Sequence, residues 1–244
     1  MRAVILVPRR GKQPDYDRAW GLVSDYYSGS GYDVFASDSP GEQFNLPAAR
    51  NAASLKSDRM AGDWDVAAFI NADCIVPVES LRRGFAHALA TGRLVVPWDH
   101  YWSMTREGHE AGFDLEVPIG NPVLEWRWRR SSEAFVQPFY APGGDVIIPR
   151  VVWERVGGWD EQFVGWQPED AAMLIAAGKF DRLSGPAYHF WHPGANTGGV
   201  YVEADGNWPK YRAMYQELHR SNQFEQRLFD EARTIDNFGN WWWG

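Results

Sequence analysis

The 244-residue chain is poor in several features, and each shortage excludes a class of protein. Cys74 is its only cysteine, which rules out an intrachain disulfide framework and fits a reducing compartment. No apolar run approaches the roughly 18 residues of a membrane span. The opening run Ala3–Val7 ends at Pro8-Arg9-Arg10 and is too short for a signal-peptide core, so a cytoplasmic protein is expected. Cationic charge is scarce too: 24 Lys and Arg against 32 Asp and Glu leave a net charge of -8. A field of that sign repels polyphosphate backbones, so nucleic acid is not an expected partner. A smaller phosphate-bearing ligand then needs a local cation. Internal repeats and low-complexity runs are absent.

What is present is a globular composition, 45% hydrophobic and 23% charged, with 14 Trp, 10 Tyr and 13 Phe. Those aromatics serve either a large core or a carbohydrate cleft, where indole rings stack on the C–H faces of pyranoses. The periodicity predicts strands at Ala3–Val7, Tyr32–Ala36, Asp65–Ile70 and Arg93–Pro97. Between them it predicts helices at Tyr16–Tyr27, Pro47–Met60 and Pro77–Ala90. This alternation argues a mostly parallel α/β sheet with ligands at the carboxyl ends of the strands, in the loops after Val7, Ala36 and Ile70.

Further on, Asp145–Ile148 reads as a strand, Pro149–Val156 and Glu169–Ala177 as helices, and the stretch around Ala187 as a strand. Pro209 to about Thr234 reads as a polar-faced helix. Glu125-Trp126-Arg127-Trp128-Arg129-Arg130 interleaves indoles with guanidiniums, either to grip a phosphate or acceptor or as a basic edge with Trp turned inward. The terminal Trp241-Trp242-Trp243 is a tail or a hydrophobic latch.

Two groups of residues carry chemistry. Asn71-Ala72-Asp73 follows a buried strand and aims a carboxylate at the sheet's carboxyl edge, where a hard divalent ion suits it. A lone Asp there also serves as a helix cap or turn residue. The second group is longer: Gly143-Gly144-Asp145, then Gly157-Gly158-Trp159-Asp160-Glu161-Gln162-Phe163, then Gly165-Trp166-Gln167-Pro168-Glu169-Asp170. Glu169 and Asp170 open a helix, whose dipole favours ionised carboxylates.

The run Gly-Gly-Trp-Asp-Glu-x-Phe followed by Gly-Trp-x-x-Glu-Asp resembles the acceptor-side motif of GT-A-fold glycosyltransferases. In pattern it is similar to the β-1,4-galactosyltransferases and the polypeptide N-acetylgalactosaminyltransferases, with their bacterial and phage counterparts. The resemblance covers roughly residues 1 to 195. It implies a Rossmann-like single domain over 1–205, with a nucleotide-binding half (1–100) and an acceptor half (101–205). Residues 206–244 then form a C-terminal helix and Trp-rich tail.

The implied activity is metal-dependent transfer of a sugar from a nucleotide-sugar, UDP-linked by resemblance, to a hydroxyl-bearing acceptor (glycan, protein or small molecule), with Mn2+ or Mg2+ as cofactor. By the same resemblance, Pro8, Arg9, Asp38, Arg50, Asn71, Gly143 and Gly144 meet the donor. Asp73 binds the metal with His192, or with His189 as the alternate. Placed three apart on an extended strand, the two histidines are expected on opposite faces, so that only one points at the ion. Asp170 takes the acceptor proton if the reaction inverts, Glu169 orients the acceptor, and Trp166 stacks on a sugar or sits in the core.

Two departures stand out. Asn71 replaces the usual first acidic residue, and Gln167-Pro168 replaces the commoner Gly-Gly. The first keeps open a non-catalytic nucleotide- or sugar-binding module. A sugar nucleotidyltransferase is the other alternative, although Pro8-Arg9-Arg10-Gly11-Lys12 only faintly matches its Gly-rich, basic signature.

Overall fold

The computed structural model describes residues 1–11, 14–112, 127–130, 144–164 and 169–193, together with 209, 210, 213, 214 and 216. The elements in chain order are β1 (Ala3–Pro8), α1 (Pro14–Ser28), β2 (Asp33–Ser37), α2 (Leu46–Ala61), β3 (Val66–Phe69) and β4 (Cys74–Ile75). Then come α3 (Val78–Thr91), β5 (Leu94–Val96), β6 (His100–Met104), α4 (Arg106–Glu110) and β7 (Trp128–Arg130). The last are β8 (Val146–Pro149), α5 (Arg150–Val156), α6 (Glu169–Ala177), β9 (Phe180–Arg182) and β10 (Pro186–His189).

The apolar runs become the centre of a six-stranded sheet in the order β2-β1-β3-β8-β5-β9. Val4 to Val7 of β1 and Val66 to Phe69 of β3 are fully buried, because helices cover the sheet and leave no wet face. Each Val, Ile, Leu or Phe among them stabilises the fold by about 1.5–3 kcal/mol of burial. β1 pairs in parallel with β2 and β3, so these three strands deliver their carboxyl ends to one edge. The late strand β8 lies between β3 and β5 and runs antiparallel to both, and β5 is parallel to β9. Hydrophobic periodicity marks a strand but carries no address for its partner.

A second sheet, β4-β10-β6-β7, was not expected from the sequence. Its strands are short, and β10 pairs with β4 so that His189 stands opposite Cys74. One hydrophobic cluster spans both sheets, from Val4 and Phe69 to Trp128, Tyr188 and Phe190. Trp128 is buried in it, which fits the inward-turned reading at that position.

Two helices set the site. α1 holds β4 through Tyr27, whose hydroxyl donates to the Val76 carbonyl and accepts from the Val76 amide, both at 2.9 Å. α2 starts at an Asn45 cap, whose side chain accepts from Ala48 N at 2.9 Å, with Pro47 in the first turn. Its buried face is made of small residues, Ala48, Ala49, Ala53, Ser54 and Ser57, so the helix lies close to the sheet. Arg50 is on that same buried face.

Among the described residues no helix is long and apolar enough to cross a membrane. Residues 209, 210, 213, 214 and 216 are helical, in keeping with a helix starting at Pro209. The remainder of the stretch expected to be helical, the Trp-rich tail, Glu125 and Trp126 lie outside the described residues.

Candidate functional site

The chain leaves β3 through a tight turn. Cys74 N donates to Asn71 O at 3.1 Å, closing the turn around Ala72 and Asp73. The Asp73 carbonyl accepts from Phe190 N at 2.8 Å, which clips the segment after β10 against it. β10 ends at His189, so the chain is no longer extended when it reaches His192. This corrects the expectation that the two histidines face opposite ways: both imidazoles turn to Asp73. His192 Nε2 is 3.2 Å and His189 Nε2 3.8 Å from Asp73 Oδ2, and the two Nε2 atoms are 3.1 Å apart. One ligand atom from each of the three residues falls within 4.8 Å of the others.

The imidazoles are fixed from outside. His192 Nδ1 lies 3.1 Å from the Pro193 carbonyl, which can only accept, so Nδ1 carries a proton and Nε2 is the atom presented to Asp73. Tyr16 of α1 stacks on the His192 ring, with centroids 4.3 Å apart. Burial works to raise the Asp73 carboxyl, but the His192 hydrogen bond and the charges of both histidines outweigh it and hold the carboxyl well below the usual carboxylate range. Burial pushes His189 down to about 4, against the pull of Asp73. For His192 burial is overcome by the hydrogen bond and charge of Asp73, and its pKa is raised. A carboxylate and two imidazoles offer one oxygen and two nitrogen lone pairs to a metal ion. The residues fit a divalent cation.

On the other side of the Asn71–Asp73 turn lies a buried knot of charge. Arg50 is fully buried and reaches from α2 to two elements. Its Nη1 donates to Asp170 Oδ1 at 2.7 Å, and its Nη2 donates to Asn71 Oδ1 at 3.2 Å. The guanidinium lies 4.0 Å from the centroid of the Trp159 ring. Glu169, beside Asp170 at the start of α6, is buried. Gly144 adopts φ +67°, and a β-carbon there would collide with Nη2 of Arg50 and Oδ1 of Asp170. Both the backbone and the space require glycine.

Asp145, next in the chain, is fully buried, with Oδ1 accepting from Asn71 N at 2.9 Å. Burial pushes its carboxyl up to about 8, with Asp73 adding to the rise and the Asn71 N–H and Arg50 opposing it. Sequence reading assigned Asp145 no role. The available signal was an acidic residue heading the apolar run Val146-Ile147-Ile148.

The remaining candidates gather at the carboxyl ends of β1 and β2, where Pro8 pairs with Ser37. Arg9 turns toward α1, bonding Asp17 at 2.7 Å with its guanidinium over Trp20. Asp38 receives Arg10 Nε at 2.9 and 3.0 Å, and Arg10 also donates to the carbonyls of Ser39 and Gly41. Arg10 thus shapes the loop that carries Asp38, a part sequence reading did not give it. Gly143 and Trp166 lie outside the described residues, as do Gln167 and Pro168.

No protein-family model and no curated protein matches the sequence. Solved structures do match the fold. S. aureus TarS 1–349, in complex with UDP-GlcNAc, superposes with a TM-score of 0.56 at 12% identity, over 89% of this chain and 66% of that one. GalNAc-T7 with UDP, GalNAc and Mn2+ gives 0.49 at 14% identity, over 88% of this chain and 41% of that one. The catalytic domain of Drosophila β1,4-galactosyltransferase 7, in complex with xylobiose, gives 0.46 at 16% identity, over 74% and 64%. The chain spans less than two-thirds of each. The central sheet flanked by helices thus has the GT-A fold.

Proposed function

We propose that this chain is a glycosyltransferase that moves a sugar from a nucleotide-sugar, UDP-linked, onto a hydroxyl acceptor. One observation carries the reading. The Asp73, His189, His192 cluster and the Arg50–Asp170 pair converge on a single three-residue turn at the carboxyl edge of the sheet. Glycosyl transfer needs these two things side by side: a place where a diphosphate can leave and a carboxylate that can take a proton.

Asp73, His189 and His192 are the residues that would hold a divalent cation, Mn2+ in this reading. When bound, such an ion supplies positive charge to a departing diphosphate. Asp170 is the base in this reading. Its ion pair with Arg50 fixes its orientation, so that the acceptor O–H proton passes to its carboxylate. The acceptor oxygen then bonds to the sugar C1 and the C1–O electron pair leaves with the diphosphate. Glu169 orients the acceptor, and Pro8 and Arg9 at the end of β1, with Asp38 after β2, receive base and ribose. Gly144 lets the chain pass close to the Arg50 pair. Residues 1–205 form the transferase unit.

The test is UDP release from a panel of UDP-sugars, with and without Mn2+. Mn2+-dependent release that D73N and D170N each reduce by about a hundredfold or more is the expected result. Nucleotide-sugar binding without release, unchanged in D170N, would establish the non-catalytic module instead.

A further inference from the structure

The charge knot contains one carboxylate that the reaction does not use. Asp145 is fully buried, and its Oδ2 has no hydrogen-bond partner among the described residues. A buried carboxylate opposes folding unless its interactions offset the lost hydration. An apolar residue would fill this position at the head of β8 at lower cost. Its polar contacts therefore bear on why it is there.

Those contacts are directed. The antiparallel ladder between β3 and β8 ends at Phe69 opposite Val146. On the other flank of β3 the last bond is from Ile70 N to Leu6 O at 3.0 Å. Asn71 is thus the first residue past the ladder, and its N–H has no strand to receive it. Asp145 Oδ1 takes that N–H at 2.9 Å. Asp145 is itself held from the far side, since Trp98 Nε1 donates to its carbonyl at 3.2 Å. The scaffold of β8 and the residues after β5 is in this way tied to the entry of the turn. The turn's exit is tied separately, by Cys74 N to Asn71 O and by Phe190 N to Asp73 O.

We infer that Asp145 is a positioning residue: by accepting the Asn71 N–H it fixes the entry of the Asn71–Asp73 turn and so aims the Asp73 carboxylate at His189 and His192. This rests on the metal reading of that cluster given above. What the contact requires is an acceptor at Oδ1 rather than a charge, so the amide of Asn serves it and an isosteric apolar side chain does not.

The experiment compares D145N, D145L and D145A with the wild-type chain by Mn2+ titration calorimetry and by hydrogen exchange of the Asn71 amide. D145N is expected to bind Mn2+ within about threefold of wild type and to keep the Asn71 amide protected. D145L is expected to lose about tenfold or more in Mn2+ affinity, the range for losing an outer contact to a metal ligand, with the Asn71 amide exchanging freely. D145A replaces it if D145L does not fold. Wild-type affinity in D145L or D145A would overturn the inference. So would a tenfold loss in D145N, which would make charge the active property. If the wild-type chain does not bind Mn2+ at all, the metal reading fails, and with it the aiming of Asp73 at a cation. The exchange measurement then still decides whether Asp145 anchors the turn.

Discussion

The two sides of the Asn71–Asp73 turn are built on opposite electrostatic plans. On one side, Asp73, His189 and His192 crowd three lone-pair-bearing groups toward one point, an arrangement that a shared positive charge completes. On the other, Arg50 already supplies the positive charge, to Asp170 by an ion pair and to Asn71 by a hydrogen bond. The first side is shaped for something that arrives, and the second is closed on itself. A site that must bind an ion and also keep a base oriented needs both, and here three residues of backbone separate them.

The sharpest way to break the comparison is to remove the positive charge from the closed side. Arg50→Ala leaves Asp170 without the buried guanidinium. Breaking a buried pair from one side costs about 3–5 kcal/mol, read as a lower denaturant midpoint. A loss under about 1 kcal/mol would mean that the knot is not internally satisfied. On the open side the same truncation should act differently. His192→Ala should lower Mn2+ affinity about a hundredfold, while the melting temperature of the metal-free chain changes little. A collapse in stability instead would make His192 a packing residue.

Gly144→Ala tests the space between the two sides. A positive φ and a collision with Arg50 and Asp170 together should cost roughly 2 kcal/mol of stability, with activity falling further as the pair is displaced. The smallest effect concerns Asp145, whose folded pKa of about 8 lies above that of an unfolded carboxyl. The protonated form's contribution is therefore complete below about pH 4 and is lost as pH rises through about 8. In chelator, D145N should melt at the same temperature as wild type or slightly higher at pH 5. At pH 8.5 it should melt roughly 2–4 °C higher, about 1 kcal/mol for a chain of this size. A gap that shrinks with pH would contradict the sign.

Much of this was legible in the sequence, and what was not has physical causes. The runs that became β1, β3 and β8 are unbroken and apolar because helices cover the sheet, so they announce themselves. β4, β6, β7 and β9 are two to five residues long, below what periodicity can separate from a loop. The Asp73 turn could be found because it directly follows a buried strand. That both histidines reach it depends on where β10 ends, and boundaries are the least certain part of a local reading. Arg50 was placed at the donor by resemblance, yet its partners are Asn71 and Asp170, the latter 120 positions away. A helix face of small residues with one arginine in it says the arginine goes inward, but not to whom. Asp145 carries no signal of its own within its motif, since an acid at a strand start also reads as an ordinary loop residue.

The central claim is that the turn after β3 carries a cation and a nucleoside diphosphate beside Asp170. The direct measurement is anomalous scattering from crystals of this chain grown with UDP and Mn2+. The account predicts one Mn2+ peak bonded to Asp73, His189 and His192, with the diphosphate on the same ion and the uridine toward Pro8 and Asp38. A Mn2+ ion bound elsewhere, or a diphosphate seated away from Asp73, would contradict it.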